Sequence, residues 1–283
     1  VSQATAALLP SSWLGSPKAD GVLLRRTAPA SAAGPARPVP SLDDASLAPF
    51  VPAAIRRRLD DGEHGAEHRR TTVSFVHIGG IDATLRDRGP DAVAALLHRA
   101  VTVAVDAADL FGVTLLATDV AGGGIKLILT AGVPESVEDG EGRMLGVGRA
   151  LIDADLGLPV RVGVNTGHVF AGEVGAPWRR VYTVMGDAVN LSARFMAKAA
   201  PGELVASKAT VDQSATPFTT VPLEPFMVKG KRHPQHACSV GSRIEGRDRS
   251  GMADIAFIGR EREIAALVRS EERRVGKECR SRW

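Results

Sequence analysis

Between residues 73 and 166 the apolar pattern switches period repeatedly, and the order of the switches leaves few folds open. Val73 to Ile78 is a β-branched run and reads as a strand. Asp91 to Phe111 carries Val93, Leu96, Leu97, Ala100, Ala104 and Ala108 on one helical stripe. Val113 to Ala117 and Ile125 to Thr130 read as two strands around the glycines 122–124, which makes a hairpin. A second helix is expected over 138–156, and Pro159 to Thr166 is a further strand, with His168 to Glu173 turning back beside it. Strand, helix, strand, strand, helix, strand is the ferredoxin-like α+β arrangement, βαββαβ, here with additional C-terminal strands. Those are expected at Glu203 to Ser207 and over 218–241, the latter including Phe226 to Lys231. The glycines in Gly163-Val164-Asn165-Thr166-Gly167 are read as backbone fits at tight turns.

A second segment carries the chemistry. Val181 to Val184 is a short β-type run that stops at Gly186. Asp187 stands where a helix N-cap belongs, and the next dozen residues continue as a helix. Asn190 and Arg194 are four apart and so share a face, while Val189, Ala193 and Met196 line a different, apolar one. An amide and a guanidinium near a helix start suit the negative charge that develops in phosphoryl transfer.

The pattern from Tyr182 to Arg194, Tyr-Thr-Val-Met-Gly-Asp-Ala-Val-Asn-Leu-Ser-Ala-Arg, resembles the nucleotide-site helix of the class III adenylyl/guanylyl cyclases. The resemblance extends over about residues 70–243. It implies that Asn190 orients a ribose and Arg194 stabilises the transition state. It places Thr183 at the purine-reading position and Asp187 and Gly80 beside the nucleotide, Gly79-Gly80 keeping a turn whose amides can face phosphate.

Enzymes of this family hold Mg²⁺ or Mn²⁺ on two carboxylates, and here those positions are degenerate. In Phe75-Val76-His77-Ile78 the first carboxylate is replaced by His77. Counting from the first hairpin strand, the second position falls on Asp119. Counting back from Gly132-Val133-Pro134, it falls on Ile125, the preferred register. The purine-reading lysine is Leu115 or Ala121 accordingly. A lone His77 is a poor Mg²⁺ ligand and reads better as a hydrogen-bonded core residue, and Asp119 as a turn-former. No divalent ion is therefore expected on this domain alone.

The resemblance implies the second half of a tandem soluble-type cyclase, converting ATP into cyclic AMP and pyrophosphate with a homologous first half that supplies the metal aspartates. The alternative is a catalytically inactive domain that senses nucleotide or dimerises and regulates an ATPase-like region. The expected organisation is a disordered tail of a preceding domain (1–45), a helical linker (46–69) with a short helix from about Pro52, and the cyclase homology domain (70–243). After it come a linker and the start of a P-loop ATPase-like region (244–268) and an artefactual tail (269–283).

Bulk properties agree with a soluble intracellular protein. Of 283 residues 44% are hydrophobic and 24% charged, and no apolar run is long enough to span a bilayer. The net charge of +3 resides in 269–283, with six Lys/Arg and three Glu, so no nucleic-acid partner is expected. Cys238 and Cys279 have no metal spacing, which suits a reducing cytoplasm. The first residue, Val1, fits an internal fragment better than a whole product.

Overall fold

The computed structural model describes residues 1–25, 46, 48–62, 65–121, 123–176 and 179–244. The proposed ATPase-like start and the basic tail lie outside the described residues. The chain divides into two units, Val1–Pro49 and Phe50–Trp283. In the first, α1 (Gln3–Ala6) precedes a two-stranded antiparallel hairpin of β1 (Leu14–Lys18) and β2 (Gly21–Leu24). The segment expected as the tail of a preceding domain thus carries a short helix and a hairpin over residues 1–25. The strands are short and irregularly registered, so they leave little periodic signal to read.

The second unit opens with α2 (Ala53–Asp60), capped by Pro52. Its core runs β3 (Glu67–Ile78), α3 (Ile81–Phe111), β4 (Thr114–Ala121), β5 (Gly124–Ala131), α4 (Gly140–Asp153) and β6 (Val160–Ala176). It continues as β7 (Arg179–Met185), α5 (Asp187–Lys198), β8 (Glu203–Ser207), α6 (Lys208–Gln213), β9 (Phe218–Pro222) and β10 (Ala237–Arg243). The sheet order is β4-β5-β3-β6-β8-β10-β9, with β7 paired to the far end of β6. The first four strands have the expected ferredoxin-like order, and β6–β8 is a parallel pair.

Helix α3 begins ten residues before the expected Asp91. Its two segments meet at Gly89, whose φ of 81° breaks the helix just before Pro90. Val76, Ile78, Leu127 and Leu129 pack with Ala100, Ala104, Met144, Leu145 and Leu151 of α3 and α4. Four of these strand side chains are fully shielded from water, which is the main hydrophobic stabilisation of the domain.

Strand β6 is continuous through 160–176, which corrects the expected turn after Thr166. Gly163 and Gly167 serve helix packing instead. A Cβ on Gly163 would lie 2.1 Å from the Met196 nitrogen and 2.4 Å from the Ser192 carbonyl oxygen, and one on Gly167 would lie 2.8 Å from the Ala188 Cβ. These two glycines let α5 lie flat on β6.

The buried face of α5 is Ala188, Leu191, Ser192, Phe195 and Met196; of the expected Val189, Ala193 and Met196 only Met196 is buried, the other two being partly exposed. Ser192 is fully buried, and its hydroxyl is within donating distance of the Val73 (2.9 Å) and Gly163 (2.8 Å) carbonyls. It ties the helix to β3 and β6 together. Ser192→Ala is expected to cost about 1–2 kcal/mol, read as a lower urea midpoint at unchanged slope. An unchanged midpoint would remove Ser192 from the forces that seat α5.

Candidate active site

Helix α5 starts without a side-chain cap. Gly186 occupies the N-cap at φ 144°, and Asp187 is the first helical residue rather than the cap. Its carboxylate still suits the positive end of the helix dipole. One turn on, Asn190 is exposed and Arg194 half-buried on the same outward face.

The loop between β9 and β10 reaches back to this face. Phe226 packs edge-on against Phe195 (centroids 6.0 Å apart) and lies under the Lys198 ammonium at 5.3 Å. Val228 is buried in the same cluster as Leu191 and Phe195. A tight turn follows, closed by the Lys231 N–H on the Val228 carbonyl at 3.0 Å, with Gly230 at φ 89°. Only glycine adopts that conformation at little cost. The turn therefore presents Lys229 and Lys231 to α5, and Lys231 pairs with the Asp187 carboxylate. Phe226–Lys231 was expected as a strand; only an isolated bridge, Phe226 to Gln235, remains of it.

The result is a pocket of about 150 Å³ lined by Asp187, Asn190, Leu191, Arg194, Lys229, Gly230 and Lys231. Among the described residues Arg194 has no ion-pair partner. Three cations against one carboxylate make an anion-accepting pocket. Sequence reasoning found Asp187, Asn190 and Arg194 and missed the two lysines. The available signal was Lys-Gly-Lys after the apolar Met227-Val228.

Thr183 lies elsewhere. It sits on β7 opposite Gly172, on the outward face with Val181 and Met185, both about half exposed. Tyr182 faces inward, under the Arg58 guanidinium at 5.4 Å, and burial pushes its phenol pKa up.

The remaining positions cluster at the other end of β3. Gly80 caps α3 at φ 80°, and the Gly79 N–H is spent on the Pro159 carbonyl at 2.9 Å. His77 is half-buried and faces the same side of the sheet as Lys126 and Arg161, its partners across β5 and β6. Asp119 pairs Lys126 in turn, so it shares that face with His77 at a distance of about two strand spacings, roughly 10 Å. Ile125 pairs Ile78 and packs with it in the core beneath the opposite face.

These residues do not fit a pair of divalent ions. Among the described residues no three His, Cys, Asp or Glu gather at any point. A carboxylate in place of Ile125 would be buried in hydrocarbon, and His77 has basic neighbours on both sides.

Residues 135–239 match the family model for the adenylate and guanylate cyclase catalytic domain. An uncharacterized protein of Mycobacterium tuberculosis (strain ATCC 25618 / H37Rv) is 34% identical over 171 residues, 58% of this chain and 30% of that one. A second uncharacterized protein of the same strain is 34% identical over 153 residues, 52% of this chain and 26% of its own length. The chain thus spans about a third of these relatives or less.

Among solved structures, the adenylyl cyclase CyaB from P. aeruginosa superposes with a TM-score of 0.56 at 22% identity. It covers 64% of this chain and 98% of that one. The guanylyl cyclase Cya2 gives 0.57 at 23%, covering 65% and 98%. The fold of the second unit is accordingly that of the cyclase homology domain. Among the described residues no helix is long and apolar enough to cross a membrane.

Proposed function

We propose that this chain supplies one half of a class III nucleotide cyclase site, acting on ATP in the cytoplasm. The observation that supports the reading is the pocket in which Asn190 and Arg194 stand together with Lys229 and Lys231. In the reaction the ribose 3′-oxygen bonds to the α-phosphorus as the bond to the β-phosphate oxygen breaks. The hydroxyl proton passes to solvent, and pyrophosphate leaves. Asn190 holds the ribose through its amide. Arg194 donates to the oxygens on which charge grows, and the lysines hold the departing end. The Asp187–Lys231 pair fixes one of those lysines. Thr183, on β7 outside this pocket, reads the purine, and the Gly80 turn lies against phosphate.

A homologous half of the parent chain brings the carboxylates for Mg²⁺ or Mn²⁺, ions that offset triphosphate charge in this chemistry. The ribbon of β6 and β7 supports such a partner, because Val174, Val181 and Met185 leave an apolar face open on it. A P-loop ATPase-like region after residue 244 completes the proposed layout.

The full chain alone is expected to form no cyclic AMP from ATP and Mn²⁺, and to do so once mixed with a homologous half that carries two metal aspartates. Robust activity from the chain alone would overturn the division of labour. A second reading, a nucleotide-sensing or dimerisation domain without catalysis, is favoured by the basic surroundings of His77. It expects ATP binding but no turnover in the mixture.

A further inference from the structure

We propose that Lys126, His77 and Arg161 form an anion site on the open face of the sheet, taking a phosphate group without a divalent ion. The strand register carries this inference, and it does not rest on the cyclase reading. His77 of β3 is directly opposite Lys126 of β5 on one side and Arg161 of β6 on the other. Cross-strand partners point to the same face about 5 Å apart, so the three side chains emerge in a row about 10 Å long.

All three are half-buried. Among the described residues neither Lys126 nor Arg161 enters an ion pair or a side-chain hydrogen bond. Carboxylates stand at the two ends of the row, yet both are turned to their own backbone. Asp119 Oδ1 accepts from the Val120 N–H at 2.8 Å, and Glu203 Oε2 accepts from the Ala200 N–H at 2.8 Å. Asp82, at the start of α3, has its carboxylate over Gly123 of the hairpin tip.

Two partly desolvated cations therefore flank an imidazole with no counter-charge between them. Arginine offers a planar fork, lysine a point charge with three donors, and histidine an N–H in either tautomer. That donor set matches the oxygens of a phosphate or polyphosphate. It is the inverse of a site for a hard divalent cation, which wants carboxylate oxygens. Fixed protein charge, rather than a bound ion, meets the phosphate here. The occupant is either an inorganic phosphate species or the polyphosphate end of a nucleotide.

The test is calorimetric titration of the full chain with sodium pyrophosphate in EDTA, repeated with ATP and with adenosine. Pyrophosphate is expected to bind. Lys126→Ala with Arg161→Ala is expected to weaken one binding component at least about tenfold, the effect of losing charge-assisted hydrogen bonds. Arg194→Ala with Lys231→Ala should leave that component intact. ATP showing the same sensitivity, with adenosine silent, identifies a nucleotide's polyphosphate end; sensitivity confined to pyrophosphate identifies the free anion. The single Lys126→Gln and Arg161→Gln variants keep their stems and give the same reading should the double variant unfold. Wild-type affinity in the folded variants, loss of binding in EDTA, or loss only in the Arg194/Lys231 variant would overturn the proposal.

Discussion

If the proposed function holds, Arg194→Ala is expected to lower kcat for cyclic nucleotide formation about 10²- to 10³-fold once the homologous half is added, with KM for ATP changed far less. The half-buried guanidinium stands without an ion-pair partner among the described residues, beside Asn190 in a pocket with two lysines. It is free to meet charge that grows only as the bond to pyrophosphate breaks. Lys231 differs, because it is already paired with Asp187 in the resting protein. It binds ground state and transition state more evenly, so Lys231→Ala should act mostly on KM. His77→Asn should disturb turnover least of the three. Equal kcat for the wild type and Arg194→Ala, with collapse in His77→Asn, would reverse the roles given to the two ends of the domain. Initial rates over a range of ATP concentrations decide the matter.

The parts of this site differ in how readable they were, for physical reasons. Asn190 and Arg194 were legible because a spacing of four fixes a shared helical face whatever surrounds it. The order of strands and helices was legible for the same kind of reason, since period reports on local geometry. Lys229 and Lys231 were not, because their position depends on Phe226 and Val228 anchoring a loop to α5, a contact between segments about thirty residues apart. The face presented by the hairpin was also hidden. Shifting a strand by one residue exchanges its two faces, and counting along the sequence cannot separate Ile125 in the core from Lys126 beside His77. The ladder between β3 and β5 makes that distinction. Gly163 and Gly167 read as turn residues in the sequence because a glycine's need for space is set by what packs above it, here α5.

Gly163→Ala is expected to be among the most damaging single changes in the domain, at about 3 kcal/mol or more. The added methyl carbon would sit 2.1 Å from the Met196 nitrogen, 2.4 Å from the Ser192 oxygen and 2.7 Å from the Met196 Cα. All three are backbone atoms, so no rotamer change relieves the overlap and α5 itself must lift from β6. Lifting it breaks the Ser192 contacts to Val73 and Gly163 and opens the cluster of Leu191, Phe195 and Val228 that seats the Lys229–Lys231 turn. Stability and the anion pocket should therefore be lost together. Gly148→Ala is a useful contrast, since its closest neighbour, at 2.5 Å, is a terminal methyl of Leu204 that can move. Gly202→Ala is another: nothing lies within 4 Å of its Cβ position, and at φ 79° it should cost only about 1 kcal/mol. Urea denaturation of the three variants, with ATP titration of those that fold, tests the ranking. A Gly163→Ala protein as stable as the Gly202→Ala protein would mean that α5 does not lie against β6 at this point, and the pocket built on its outer face would lose its foundation.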